Sequence, residues 1–325
     1  MSNSVSYLEA VVIGLVQGVA ELFPISSLGH AVLIPAFIGG SWATTLNMTS
    51  PNSPYLALVV ALHVATALAL LVFFWRDWVR IVKGFISSVK YRRIETPYER
   101  LVWLLIAGTI PVGLAGLVLD KLLREHLGKP LYAGAFLALN GVLLYTVESL
   151  RSSEKKKASA AAGGGRRGAG APAEAAGSKI TPEYDKHGRL LPESIASDVR
   201  LSRMSFKTGA SLGAAQIMGL FPGFSRSGSS IALGLFKGLH HEDAARFAFL
   251  LATPVILAAG VYKMPELLKP ENSAVVGPAI AGSLVAFAAS LISVRFLTRY
   301  FETRTLTPFA VYCFVVGVGS VVYFA

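Results

Sequence analysis

Six stretches of the chain are dominated by apolar residues: Tyr55–Trp75, Leu101–Leu119, Leu131–Leu150, Phe247–Tyr262, Val275–Phe296 and Pro308–Ala325. A helix rises about 1.5 Å per residue and the hydrocarbon core of a bilayer is about 30 Å thick, so roughly 20 such residues make a crossing. All six are predicted to be transmembrane helices; the fourth is short and gains a turn if it begins within Asp243–Arg246. Two more apolar regions, Val5–Phe37 and Thr208–Phe236, are broken near their middles, at Phe23-Pro24-Ile25-Ser26-Ser27 and Phe221-Pro222-Gly223-Phe224-Ser225. A break at membrane depth frees backbone polar groups that lipid cannot satisfy, and it is tolerated only against protein or a wet cavity. Each broken region is therefore predicted to be a re-entrant helical pair that enters and leaves on one face. The first does not read as a secretory signal, since Met1-Ser2-Asn3-Ser4 carries no base and Glu9, Gln17 and Glu21 interrupt the apolar run.

Charge orients these elements. Arg76–Arg100 holds seven Lys or Arg against three acids, Arg151–Lys207 holds twelve against six, and Gly39–Pro54 holds no charge. The positive-inside rule places the two basic stretches in the cytoplasm and the uncharged loop outside. The first broken region then starts and ends outside, and the second starts and ends inside. The chain thus reads as a first repeat (1–150), a flexible basic cytoplasmic linker (151–207) and a second, inverted repeat (208–325), each repeat a re-entrant pair followed by three spans. Leu22-Phe23-Pro24-Ile25-Ser26-Ser27 echoes Leu220-Phe221-Pro222-Gly223-Phe224-Ser225, with Gln17 and Gln216 upstream at nearly the same distance. Paired interruptions in corresponding positions point to a binding site near the midplane. Within the linker, Ala158–Gly177 is almost all Ala, Gly, Arg and Pro and is expected to be a tether.

Composition narrows the class. Hydrophobic residues make up 53% and charged residues 15%, against about 25% charged in ordinary soluble domains, and the mean hydropathy is +0.56. That excludes a disordered or collagen-like chain and a soluble enzyme; the fold class is an all-α polytopic membrane protein. A single cysteine, Cys313, excludes a disulfide scaffold and a multi-cysteine metal site. The net charge of +11 does not point to nucleic acid, because it sits in loops between apolar stretches.

Chemistry concentrates at the two breaks. Glu21 is an intramembrane carboxylate, costly unless it serves an interior site, and Gln17 lies on the same helical face four residues earlier. Ser26-Ser27-Leu28-Gly29-His30 reads as the start of a half-helix, whose unpaired N–H groups suit phosphate. Ser27 and His30, three apart, are a hydroxyl and an imidazole on neighbouring positions. In Pro222-Gly223-Phe224-Ser225-Arg226-Ser227-Gly228-Ser229-Ser230, an arginine stands among hydroxyls and glycines with no acid nearby in sequence. Its fork of donors matches phosphate oxygens, so an anion pocket facing the first break is expected; the plainer role is a structural pair with Glu21. Glu9 is expected to be solvated at the membrane edge, and His63 to be a packed polar residue within the first span. His240, His241, Glu242 and Asp243 are expected to form a helix N-terminal turn rather than a metal site.

With both motifs in view, Gln17-Gly18-Val19-Ala20-Glu21-Leu22-Phe23-Pro24-Ile25-Ser26-Ser27-Leu28-Gly29-His30 and Pro222-Gly223-Phe224-Ser225-Arg226-Ser227-Gly228, the chain resembles the undecaprenyl-diphosphatase (bacitracin-resistance) family of bacterial inner-membrane enzymes. Shorter matches are Thr109-Ile110-Pro111, Phe247-Ala248-Phe249-Leu250 and Pro308-Phe309-Ala310-Val311-Tyr312. The resemblance implies an interdigitated inverted repeat with its site open to the periplasm, and hydrolysis of a long polyprenyl diphosphate to the monophosphate and phosphate. That reaction recycles the lipid carrier of peptidoglycan synthesis and confers bacitracin resistance. It also implies a divalent cation, Mg²⁺ or Ca²⁺, held at Glu21 or bridged by the substrate, and a homodimer. Carried onto this sequence, Ser27 is the nucleophile or orienting hydroxyl and His30 its base. Glu21 orients water or metal, and Ser225, Arg226 and Ser230 clamp the diphosphate, with Gln17, Ser26, Gly223 and Ser227 as further binding residues. Direct attack by water activated by Glu21 or His30 stays open. The chain departs from the family in its neutral Gln17, in Ser230 where Thr is usual, in Cys313 where Arg is usual, and in its long linker. A polyprenyl-phosphate flippase or secondary anion transporter is the alternative; it would use Glu21 as a proton site and release no phosphate. Acid-phosphatase-like lipid phosphatases are disfavoured, because they need a histidine where this chain has Ala232.

Overall fold

In the computed structural model, residues 5–49, 53–163, 183–184, 189–267 and 269–325 are described. They are helical throughout their ordered elements, and an isolated bridge between Tyr184 and Leu190 is the nearest thing to a strand among them. In chain order the helices are α1 (Tyr7–Ala20), α2 (Ser27–Ile38), α3 (Gly40–Thr45), α4 (Pro54–Phe73), α5 (Trp75–Tyr91), α6 (Pro97–Leu127) and α7 (Pro130–Gly163). They continue with α8 (Glu193–Ser202), α9 (Phe206–Ala215), α10 (Arg226–Phe236), α11 (His241–Leu267), α12 (Ser273–Thr303) and α13 (Thr307–Phe324). The six predicted crossings fall in α4, α6, α7, α11, α12 and α13, each long and apolar enough to span a membrane. The fourth does take up the extra residues, beginning at His241.

The two broken regions divide as the Pro and Gly positions require: α1 and α2 around residues 21–26, and α9, a 3₁₀ turn (Gln216–Leu220) and α10 around the second break. Each first half-helix packs against the second span of the opposite half. α1 lies on α12, and α9 lies on α6. Both contacts close glycine to glycine, Gly14 on Gly282 and Gly213 on Gly108, with no room for a Cβ. Close backbone approach of this kind drives helix association where lipid supplies no hydrophobic gradient. α7 and α13 also approach closely, Gly317 against Gly134 and Ala138 and Gly141 against the Ala310 and Phe314 backbone.

Two local expectations are revised and a third holds. Glu9 is buried rather than solvated: its carboxylate folds back onto the Ser6 N–H (2.7 Å) and hydroxyl (2.8 Å), completing a capping box at the start of α1. The linker is not a tether along its whole length. α7 continues to Gly163, and α8 docks on the bundle through buried charge: Arg246 in α11 binds both Asp198 oxygens (2.8 and 3.0 Å) and Asp77 (3.0 Å), while Arg200 and Ser197 hold Asp243. Most of Ala158–Gly177 lies outside the described residues. The His240–Asp243 turn does begin α11, with His241 bound to Glu148 at 2.8 Å and Asp243 engaged by α8.

Candidate active site

The two breaks meet inside the bundle. α1 ends with Glu21 at its C-cap, and the chain turns through Pro24 to Ser26, whose φ of 69° is left-handed, a region a non-glycine residue occupies only when its surroundings hold it there. Those surroundings are on both sides of the contact. The Ser26 hydroxyl accepts the Gly29 N–H (3.1 Å), capping α2, and the Gly223 N–H (3.2 Å) from the second break. Gly223 itself has φ +113° and sits where a Cβ would collide with the α7 backbone, so this position requires glycine.

Asn140, fully buried in α7, joins the breaks from behind. Its Nδ2 donates to the Pro24 carbonyl (3.0 Å) and its Oδ1 accepts the Ser225 N–H (3.1 Å). The backbone groups freed by both interruptions thus find protein partners, as a break at this depth demands. Sequence reading passed over Asn140, although a lone amide inside an apolar span is the signal that marks it. Asn140→Ala leaves the buried Ser225 N–H unpaired and the Pro24 carbonyl with only the weak Cys313 thiol donor, at roughly 1–3 kcal/mol for the unpaired group. We expect a clear fall in the thermal midpoint in detergent, together with reduced activity; an unchanged midpoint would contradict this bridging role.

Glu21 is the centre of the polar cluster. Its Oε2 accepts from Gln17 Nε2 (3.0 Å) and from the Ser27 hydroxyl, and faces His63 Nε2 at 3.3 Å; its Oε1 accepts from Arg226 Nη2 at 2.5 Å. His63 donates Nδ1–H to the Val59 carbonyl (2.8 Å). Both of its ring nitrogens therefore face acceptors, which a doubly protonated ring satisfies. His63 is not merely packed within its span, as its sequence position suggests: the turn of α4 that carries it faces the first break, a placement no local pattern reveals. The Arg226 guanidinium and the His63 ring thus converge on one carboxylate, a donor-rich arrangement suited to an anion.

The other candidates are arranged as follows. The Ser27–His30 pair expected from their spacing does not form. His30 Nδ1 donates to the Ser26 carbonyl (2.7 Å), and its Nε2 accepts from the hydroxyl of Tyr312 (2.7 Å), whose ring stacks on it. Both nitrogens are occupied, and Ser27 turns to Glu21 instead. Ser225 caps α10 by accepting the Gly228 N–H (3.0 Å) and touches Ser227 (3.2 Å); Ser227 also reaches the Glu21 and Leu22 carbonyls, both at 3.4 Å. Ser230 donates to the Leu212 carbonyl (3.1 Å). Gln17, Gly223, Ser227, Ser230 and His30 thus face protein, whereas Glu21, Ser26, Ser27, His63, Ser225 and Arg226 face a cavity of about 1120 Å³. Most of the rest of its wall is an apolar trough from α4, α6 and α11, including Leu105, Ile110, Leu117 and Ala259, with Thr109, Gln216 and Lys263 as further polar lining. α2 and α10 point their N-termini, at Ser27 and Arg226, toward its polar end, and the first N–H groups there have no intrahelical acceptor.

The donor set does not fit a divalent cation held by the protein alone. The two carboxylate oxygens already face four partners, Gln17, Ser27, His63 and the cationic Arg226, and among the described residues no group of three or more His, Cys, Asp or Glu converges.

Six apolar spans around a charged interior cavity define a polytopic α-helical membrane protein with its polar chemistry buried in the bundle. Comparison with known proteins then places it: the chain belongs to the bacitracin resistance protein BacA family, whose model matches residues 10–319. It is 56% identical over 325 residues to a protein of Mycolicibacterium paratuberculosis named undecaprenyl-diphosphatase, covering 100% of this chain and 99% of the relative. It is 55% identical over 325 residues to a Mycobacterium avium protein of the same name, with the same coverage. A Chromobacterium violaceum protein named undecaprenyl-diphosphatase 2 is 39% identical over 320 residues, 97% of this chain and 98% of that one.

Proposed function

We propose that the protein hydrolyses undecaprenyl diphosphate to undecaprenyl phosphate and inorganic phosphate, recycling the lipid carrier of cell-wall synthesis. The observation that carries this reading is the convergence of Arg226, Ser27 and Glu21 at the head of an apolar trough, within a chain matched end to end by relatives bearing that name. An amphiphile with a diphosphate head and a prenyl tail fits both ends of such a cavity.

The residues divide the work. The diphosphate draws the Arg226 guanidinium from Glu21, because a fork of charged donors matches phosphate oxygens, and the N-termini of α2 and α10 add N–H donors. Glu21, with an oxygen released, takes the proton of the Ser27 hydroxyl that already donates to it. Ser27 Oγ bonds to the terminal phosphorus as the bridging P–O bond breaks, and undecaprenyl phosphate leaves. Water then displaces the phosphate from Ser27, whose oxygen recovers its proton. Arg226 and His63 offset the negative charge through both steps. The Mg²⁺ or Ca²⁺ implied by the family resemblance is proposed only as an ion carried in by the diphosphate, whose oxygens such hard cations prefer. Ser27→Ala is expected to lower kcat at least about 10²-fold with little change in KM; steady-state phosphate release checks it, and near-normal turnover would remove Ser27 as nucleophile.

We also infer that the two halves are inverted repeats with re-entrant pairs, and that the site opens to the periplasmic side of the inner membrane. Glycine closures repeated between α1–α12 and α9–α6 support the repeat. The opening is supported by the cavity reaching Met48 and Leu56 beside the uncharged loop, while the Asp77–Arg246–Asp198 cluster packs at the basic end.

A further inference from the structure

Gln216 has no hydrogen-bond partner among the described residues. It is 1% exposed, its Nε2 and Oε1 both lack a hydrogen bond, and it lines the cavity that holds Glu21, Ser27 and Arg226. Its counterpart in the first half, Gln17, spends its amide on Glu21. Leaving both ends of a buried amide unpaired carries the full desolvation penalty of each group, so such a side chain is one that a bound molecule satisfies. Its place in the chain says which part of that molecule. Gln216 opens the 3₁₀ turn Gln216–Leu220, and in a 3₁₀ helix side chains three apart eclipse. The residue three on is Gly219, where a Cβ would stand 2.5 Å from the Cβ of Arg226. Gln216 therefore lies on the face that packs against the arginine.

We propose that Gln216 is a positioning residue for the diphosphate: Nε2 donates to a non-bridging oxygen of the phosphate held by Arg226, and Oε1 accepts a hydrogen from water beside the reacting phosphorus. A phosphate oxygen accepts and a water donates, which is the pair of partners an amide needs. The inference rests on the phosphatase reading and adds a residue to it.

Gln216→Leu, a near match in size without the amide, separates the possibilities. It should keep or raise the thermal midpoint, since the idle polar group is gone, yet lower kcat/KM for phosphate release about 10–100-fold, the scale of losing one positioning contact. The stabilisation that methylenebisphosphonate gives the wild-type protein should shrink in the variant. Gln216→Met repeats the test if the leucine variant folds poorly. Kinetics within twofold of wild type overturn the proposal, as does a loss of activity that tracks a fall in midpoint in both variants. No phosphate release from the wild-type protein would instead sink the phosphatase reading itself.

Discussion

Arg226→Ala is expected to lower kcat/KM for phosphate release by roughly 10³-fold or more, the scale seen when a charge-stabilising donor or an arginine is withdrawn from a phosphoryl or acyl transfer site. The guanidinium faces the cavity beside Glu21 and Ser27, and its partner without substrate is Glu21 at 2.5 Å. Stability must be watched at the same time. Removing one member of a buried ion pair strands the other, typically at about 3–5 kcal/mol. The informative comparison is therefore the double variant Glu21→Gln with Arg226→Met, which removes both charges. If it regains the midpoint lost by Arg226→Ala but stays inactive, the defect is chemical. Arg226→Lys should recover part of the binding but little of the rate, because a point charge does not reproduce the planar fork. Measured kcat/KM within tenfold of wild type for Arg226→Ala would mean that another group holds the diphosphate.

Glu21→Gln should separate turnover from affinity. The amide keeps the shape of the side chain and can still meet Gln17 and Ser27, but it cannot take the hydroxyl proton. We expect kcat to fall by about 10²–10⁴-fold, the usual contribution of general base catalysis. KM should not rise. Without the carboxylate, Arg226 and His63 lose their shared counter-charge and attract the diphosphate more strongly. A fall in kcat with a lowered or unchanged KM is the signature of an interaction used in the transition state. A raised KM with unchanged kcat would instead make Glu21 a binding residue.

Much of this arrangement was legible in the chain, because lipid imposes a narrow set of solutions. Apolar length alone identified the six spans, and Pro24 and Pro222 with their neighbours marked the two breaks. Glu21 and Arg226 stood out because charge inside a span demands a reason. What stayed hidden depends on which turn of one helix faces which break of another. His63 and Asn140 sit in separate spans and carry no local motif, yet one meets Glu21 and the other ties Pro24 to Ser225. The Ser27–His30 spacing misled for the same reason. Neighbours on a helix share a face only until tertiary partners claim them, and here Tyr312 from the last span claims His30 while Glu21 claims Ser27. Glu9 was misplaced by a shorter-range effect, a capping box that folds an acid back onto its own helix start.

The most direct test is phosphate release by the purified full-length protein supplied with undecaprenyl diphosphate in detergent, beside the Glu21→Gln and Arg226→Met double variant. One inorganic phosphate per undecaprenyl phosphate formed, from the wild type and not from the variant of equal thermal midpoint, is the result the site geometry predicts. No phosphate from a folded wild-type protein, or equal release from both, would contradict it.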